Sequence, residues 1–407
     1  MKKTVCLVLL FFTTSFMLQA QLGCTDPQAN NFDSNAMTND GSCIYPATMY
    51  QMNQRAQLVD ELEESSGAAY IDGQLWVHND GGNSDEIYRI DTLTGAIEQT
   101  ILVAGYENED WEDMTQSDNF MFLGDVGNNP GNRTDLSIAR IDKNNLTNLI
   151  VNVEVIHFSY SDQTDFTERF NNNDYDCEAF FFYQDTLHLF TKNWVDEQTR
   201  HYTLPATPGT HVAQLRETFD TEGLITGAAI DENGTISLLG YTPGGVNFMW
   251  LLYDYPPNHF FAGNTRKINL GTGLTNSQTE GIVFTENGNG FVVSEKFNFL
   301  PPRLLSFSTS QWTEDITTDT DDLFFDRLKL TAYPTPFTES ITLNWSAEDR
   351  LSGQIKIFDI LGNSLLQQNF QSTENTLTLD LSALPTGQYL VKMTSERGQG
   401  VRWIYRK

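Results

Sequence analysis

The chain has 407 residues, a formal charge of −30 and 12% aromatic residues. Such acidity excludes nucleic acid and anionic membrane as general partners, because phosphate recognition needs a basic face. The charge is uneven: residues 327–407 carry nine Lys or Arg against seven Asp or Glu, a net of +2, so the acidity belongs to the rest of the chain.

The first twenty residues (1–20) read as a secretory signal peptide, with basic Lys2 and Lys3, an apolar run from Val5 to Met17, and Ala20 as the cleavage residue. No second apolar stretch is long enough to span a membrane. Leu22-Gly23-Cys24 partly resembles a lipid-attachment box, although Gln21 stands where an aliphatic residue is wanted. Cys24 has a better partner in Cys43. The two enclose an Asn-, Asp- and Gly-rich loop in an exported chain, which predicts a disulfide. Cys6 leaves with the signal, and Cys177, in an apolar run, reads as a buried thiol. Residues 23–45, with Gly23 to Pro27 and Asp40 to Cys43 as landmarks, resemble the short GCTDP…DGSC modules of secreted Bacteroidota proteins. Their Asn and Asp side chains suit Asx-turns, or oxygen ligation of calcium.

Residues 54–312 are β throughout, with short alternating or aromatic runs between Gly, Asn, Asp and Pro punctuation. Five times a polar signature opens an apolar run, and a second polar cluster follows 13 to 16 residues later. The openers are Glu64-Ser65-Ser66-Gly67, Asp110-Trp111-Glu112-Asp113, Asp176-Cys177-Glu178-Ala179, Thr226-Gly227-Ala228 and Thr279-Glu280-Gly281. The followers are His78-Asn79-Asp80, Gly124-Asp125, Lys192-Asn193-Trp194, Gly240-Tyr241 and Ser294-Glu295-Lys296. A fixed interval within a longer period is the signature of a toroidal repeat array. The prediction is an all-β chain whose main domain is a β-propeller of five blades, or six if a long loop hides one.

The expected strands are 67–71, 74–78, 86–91 and 96–103 in blade 1, and 111–115, 120–125, 136–142 and 151–160 in blade 2. Blade 3 takes 177–183, 187–191, 199–204 and 211–219, and blade 4 takes 227–231, 235–241, 247–255 and 265–270. Blade 5 has 281–285, 290–295 and 303–309, and residues 57–62 are expected to supply its outer strand and close the ring. Closure abolishes the sheet edge that otherwise invites aggregation. The wording LWVHNDGG, DWEDM, GDVGNN and QTEGI resembles a group of secreted bacterial propellers related in pattern to phytase-like and esterase-like families.

Two antiparallel strands fill each interval, so both clusters of every repeat are expected at one tunnel mouth. Glu64, Glu112, Glu178 and Glu280 would ring it, with Thr226 in the fifth place. His78, Asn79, Asp80, Asp125, Lys192, Asn193, Trp194, Tyr241, Glu295 and Lys296 would lie just outside. Four carboxylates at ~6 Å and an effective dielectric of ~20 repel by about 3 kcal/mol per pair. A cation, proton uptake or hydrogen bonds to backbone amides must offset that, and calcium suits an oxygen-only donor set. His78 and Asp80 are the candidates for a general base. Trp194 and Tyr241 suit stacking on a sugar ring, whereas Trp111 suits packing between blades. There is no Gly-x-Ser-x-Gly elbow, His-Glu-x-x-His zinc helix or phosphate-cradling glycine loop. Two functions fit: a module binding a carbohydrate, peptide or surface partner, or a calcium-dependent hydrolase of the lactonase, esterase or phytase type.

Residues 313–326 read as an acidic linker, and 327–407 as a second β domain. Tyr333-Pro334-Thr335-Pro336-Phe337, Ile355-Lys356-Ile357-Phe358-Asp359 with Gly362, the run from Leu379 to Tyr389, and terminal Arg406-Lys407 resemble the C-terminal sorting domain of type IX secretion substrates. Thr335 stands where that family usually has Asn. The resemblance implies a seven-stranded sandwich with Trp345 in its core. It also implies recognition by the outer-membrane export machinery, then removal, leaving a secreted or surface-attached protein.

Overall fold

The computed structural model describes residues 21–313, 330–345, 351–359, 364–372, 375–395 and 398–407. The segment read as a signal peptide and nearly all of the one read as an acidic linker lie outside the described residues. The chain divides into two compact units, Met1–Glu314 and Asp315–Lys407.

The first unit is a five-bladed propeller. From the axis outward, blade 1 is Ser65–Ile71, Gln74–Asn79, Glu86–Ile90 and Ile97–Ala104. Blade 2 is Trp111–Gln116, Phe120–Asp125, Ser137–Asp142 and Glu154–Tyr160. Blade 3 is Cys177–Tyr183, Thr186–Thr191, Gln198–Pro205 and Gly209–Asp220. Blade 4 is Leu224–Ile230, Ile236–Tyr241, Val246–Tyr253 and Asn264–Thr272. Blade 5 is Gln278–Phe284, Asn289–Glu295 and Arg303–Ser308, completed by Asn53–Gln57 from the other end of the domain. Each inner strand packs on the next, and the fifth returns to the first. Alternate residues of each strand enter the two flanking blade interfaces, so the core is a ring of separate apolar clusters rather than one centre.

Two expectations shift. The closing strand is Asn53–Gln57, not 57–62; Asp60–Leu62 forms a 3₁₀ turn. Leu58 and Leu62 both enter the core between blades 5 and 1, and the Leu62 N–H donates to the Val59 carbonyl at 3.0 Å, the i to i−3 bond of a turn and not a strand ladder. Likewise 151–160 is not one strand. Ile150–Asn152 pairs in parallel with the outer strand of blade 1, and the chain then crosses to blade 2 at Glu154. The long outer strand of blade 3 binds its own blade through one half and the edge of blade 2 through the other, fusing both into one sheet.

Cys24 and Cys43 form the disulfide, and Cys177 is a buried free thiol. The stapled loop docks on blade 4, where Asp26 accepts hydrogen bonds from the Tyr45 and Tyr253 hydroxyls, both at 2.7 Å. The Arg266 guanidinium lies over the rings of Tyr45 and Trp312. Asp26, Asp33, Asn39 and Asp40 each cap a backbone N–H two residues on, as Asx-turns do.

The second unit is a two-sheet sandwich. Thr331–Tyr333, Ser340–Asn344 and Thr376–Asp380 form one sheet; Ser364–Ser372, Leu351–Phe358, Gly387–Ser395 and Gly398–Arg406 form the other. Trp345 is buried between them with Ile341, Leu343, Ile355, Ile357, Val391 and Ile404.

Candidate functional site

Each inner strand of the propeller breaks register at the same level, two to four residues from its start. The pairing skips between Ser65 and Ala68, between Trp111 and Met114, at Glu178, at Thr226, and between Thr279 and Ile282. A bulge adds a residue and re-aims its side chain. The bulge residues are Ser66, Glu112, Glu178, Thr226 and Glu280. The two hydroxyls sew blade to blade: Ser66 Oγ donates to the Glu112 carbonyl at 2.6 Å and Thr226 Oγ1 to the Thr279 carbonyl at 2.9 Å. The three carboxylates are almost fully buried.

Blade 1 therefore contributes Ser66 to the ring, not Glu64. Glu64 is exposed, and its carboxylate accepts a 2.6 Å hydrogen bond from Asn83. The place expected for it is filled by Asp80, whose charge acts on Glu112, Glu178, Glu280 and Glu295. Asp110 and Asp176, each two residues before a ring glutamate, join them. Oxygens of Asp80, Asp110 and Glu112 all lie within 4.8 Å of one another.

Seven carboxyls thus share one mouth, and every one has a raised pKa with burial as the largest cause. Asp80 and Asp110 are pushed to about 6, with Asp110 and Asp176 respectively as the next charges raising them. Asp176, Glu178 and Glu280 are pushed to about 7, and Glu295 to about 10 with Glu280 adding to the effect. Glu112 is raised well above its ordinary value by burial, then by Asp80 and Glu178. Lys192 is the ammonium inside this group. It is buried, lies 2.9 Å from Glu178, and faces the rings of Trp194 at 5.0 Å and Tyr241 at 5.5 Å.

Several expected rim residues have other employment. Asp125 is held by Arg133 through two hydrogen bonds of 2.9 and 3.0 Å, which lock the loop after it. Lys296 is exposed and paired with Glu63 at 2.6 Å. Asn193 is internal to blade 3, accepting from Thr191 and donating to Asp196. Asn79 donates to the Glu61 carbonyl. Trp194 donates its indole N–H to Asp176 at 2.7 Å, so it orients a carboxylate of the cluster. His78 is not on the rim. Burial lowers its pKa to about 4, its Nδ1 meets the Asn79 carbonyl at 2.8 Å, and its Nε2 is buried without a partner among the described residues. A neutral imidazole enclosed in this way cannot reach a substrate at the mouth, which removes it as a general base.

Sequence reasoning passed over Asp113, which ties three blades together. Its buried carboxyl accepts hydrogen bonds from the N–H groups of Met114 at 2.8 Å, Phe180 at 3.0 Å and Ala228 at 3.4 Å, joining blades 2, 3 and 4. Its place beside Asp110 and Glu112 in the run Asp110-Trp111-Glu112-Asp113 was the available signal. Toward the opposite end lies a cavity of about 820 Å³ bordered by Tyr70, Gln116, Phe182, Ile230 and Phe284.

Among solved structures, the calcium-binding protein regucalcin from Agrobacterium tumefaciens is 12% identical, with 64% of this chain and 95% of that one covered at a TM-score of 0.35. The β-propeller domain of Cps50 (Swd1) from Myceliophteria thermophila is 9% identical, covering 63% and 99% at a TM-score of 0.31. An immunoglobulin-like β-sandwich protein from Bacteroides vulgatus is 17% identical, covering 19% and 94% at a TM-score of 0.15. Likenesses this distant carry no functional argument, and the fold rests on the strand pairing above. No curated protein matches the chain significantly. Residues 331–405 match the family described as the secretion system C-terminal sorting domain, so the second unit is a sorting domain of the type IX kind that its motifs resemble.

Proposed function

We propose that the propeller of this exported protein is a ligand-binding module whose mouth holds a divalent cation, calcium by donor chemistry, on Asp80, Asp110 and Glu112. The observation that carries this reading is the convergence of those three carboxylates to within 4.8 Å. Two oxygens on opposite sides of a calcium ion at ~2.4 Å stand ~4.8 Å apart, so the three fit within one coordination sphere. Gly127 supports it: a Cβ there would stand 2.3 Å from Glu112 Oε1 and 2.4 Å from Asp110 Oδ2, so any larger residue would push these carboxylates from their positions. A bound cation would offset their repulsion and offer its remaining positions to ligand oxygens. Tyr241 and the Trp194 ring, both against Lys192, border the same mouth and suit a glycan, a peptide carboxylate or another oxygen-rich surface group. After export the module would act at the cell surface or in the medium.

The test is thermal melting of the full chain with calcium and with chelator. A ligand bound only by the native state adds RT ln(1+[L]/Kd), about 2.7 kcal/mol at 100-fold excess over Kd. Calcium should raise the propeller's melting point by several degrees, and Asp80→Asn with Glu112→Gln should abolish the rise. A double variant that keeps the full response would place the ion elsewhere, as in the residue 23–45 module.

A second reading, a calcium-dependent hydrolase, draws on carboxyls that titrate near 6 to 7 beside the cation position, the range suited to acid–base work. Calcium-dependent turnover of lactones or aryl esters, lost in Asp80→Asn, would favour it over simple binding. Phytate is the poorest substrate, because Lys296 is committed to Glu63 and Lys192 to Glu178.

A further inference from the structure

Residues 21–45 have almost no core of their own. Only Cys24, Asp26 and Ala29 are buried, and regular structure is limited to Leu22–Gly23 paired with Thr38–Asn39. The Cys24–Cys43 bond holds this loop together, because opening it returns conformational freedom that nothing else in the segment restrains.

The stapled loop grips two blades at once. Thr25 Oγ1 and Asn39 Nδ2 donate to the Asp254 carboxylate of blade 4 at 3.2 and 3.1 Å, and Asn39 Nδ2 also reaches Asn264 Oδ1 at 2.9 Å. Gln28 bridges to blade 5. Its Oε1 accepts from Arg266 at 2.6 Å, and its Nε2 donates to the Gln311 carbonyl, just past the third strand of blade 5, at 3.1 Å. The chain leaving the loop stays on this junction. Thr48–Met49 pairs in parallel with Ile268–Asn269 at the outer edge of blade 4, the Tyr50 hydroxyl accepts from the Ser308 N–H at 3.2 Å, and Met52 is buried with Met249 and Leu305. The next five residues, Asn53–Gln57, are the closing strand, and of these only Ala56 is buried. A strand with one buried side chain gains little from burial, so its place depends on anchors at its two ends. Leu58 and Leu62 follow it, and the stapled segment precedes it.

We propose that the Cys24–Cys43 loop is a redox-dependent clamp on the closing seam of the propeller, pinning Asn53–Gln57 to blade 5 when oxidised and releasing it when reduced. Cys43 is partly exposed, so a small thiol reaches the bridge. Oxidation joins the two sulfurs and passes two electrons and two protons to a disulfide oxidant, which leaves as a dithiol; a dithiol reverses the step. The sorting domain marks an exported chain, and such a chain passes from a reducing to an oxidising compartment. The seam would therefore lock only after the chain has left the cytoplasm. Until then Arg303–Ser308 would stand as an open sheet edge.

The test is amide hydrogen exchange of the folded full chain, read by mass spectrometry with and without dithiothreitol. Reductant should speed exchange in Asn53–Gln57 and Arg303–Ser308 by about tenfold, and leave the inner strands Trp111–Gln116 and Cys177–Tyr183 unchanged. Cys24→Ser with Cys43→Ser should show the fast exchange from the start and no response to reductant, which excludes the buried Cys177 as its source. Gln28→Ala with Tyr253→Phe, which keeps the disulfide and removes contacts between loop and blades, should loosen the same two strands without reductant. If reduction loosens residues 21–45 alone, the loop is an appendage and the proposal fails. It fails equally if all five blades loosen together, because the staple is then a general stabiliser and not a clamp on one seam.

Discussion

The two ends of the propeller tunnel are built from the same five inner strands, yet they solve opposite problems. At one end every inner strand carries a bulge, and seven carboxyls from four of the blades and their adjoining loops meet around Lys192. At the other, the strands run regularly into their hairpins, side chains alternate into the blade interfaces, and a half-apolar cavity remains. The lysines of the two ends show the contrast. Burial alone would lower the pKa of Lys192, but Glu178, Tyr241, Glu280 and Asp176 carry it well above the ordinary value. At the far end burial prevails: the pKa of Lys143 is lowered, only partly opposed by Asp72 and Asp118, and its ammonium bonds the Gln116 amide at 2.6 Å. A local break in strand register thus creates a charged centre that the same sequence period, left regular, does not.

The largest expected effect comes from removing the counter-ion of the charged end. Lys192→Met leaves Glu178 and its neighbours buried without compensation and should cost the propeller about 3–5 kcal/mol in chemical denaturation at neutral pH without metal. Added calcium should recover part of that loss. If Lys192→Met proves as mild as Lys143→Met, the distinction between the two ends collapses.

Next in size is the pH dependence of the metal-free protein. A carboxyl whose pKa is raised by folding stabilises the fold while protonated, and the contribution is lost as pH rises through the folded value. Asp80 and Asp110 at about 6, and Asp176, Glu178 and Glu280 at about 7, place that loss between pH ~4 and ~7. Each pKa unit is worth about 1.4 kcal/mol, so the propeller should weaken by several kcal/mol across the window. Calcium should flatten the slope and bind more tightly as pH rises. A stability that instead climbs from pH 4 to 7 without metal would show the mouth to be open to water and its charges screened. The smallest effect belongs to the far end, where Lys143→Met should change stability by no more than about 0.5 kcal/mol and leave the calcium response intact.

Much of this arrangement was legible before any coordinates. The recurring interval gave five blades and put Glu112, Glu178 and Glu280 together, because side-chain period and hairpin length are local properties of the strands. Glu64 was misassigned because its signature contains two small polar residues, Ser65 and Ser66, and the bulge takes the second. A one-residue difference in where a bulge falls sends a different side chain to the axis. Asp125, Asn193 and Lys296 look like rim ligands in sequence, but their partners Arg133, Asp196 and Glu63 are set by loop conformation.

By itself, the sequence determined the all-β character, the five-blade repeat, the disulfide pair, the sorting motifs and the acidic composition of one tunnel end. These depend on residue type and short spacing. Only the tertiary structure decided that Asn53–Gln57 closes the ring, that Asp113 bridges three blades, that His78 is sealed from the mouth, and that Asp80, Asp110 and Glu112 converge. Each depends on distances between residues far apart in the chain. Burial then decides their chemistry, because the cost of a charge is set by the water and counter-charges around it and not by the residue alone.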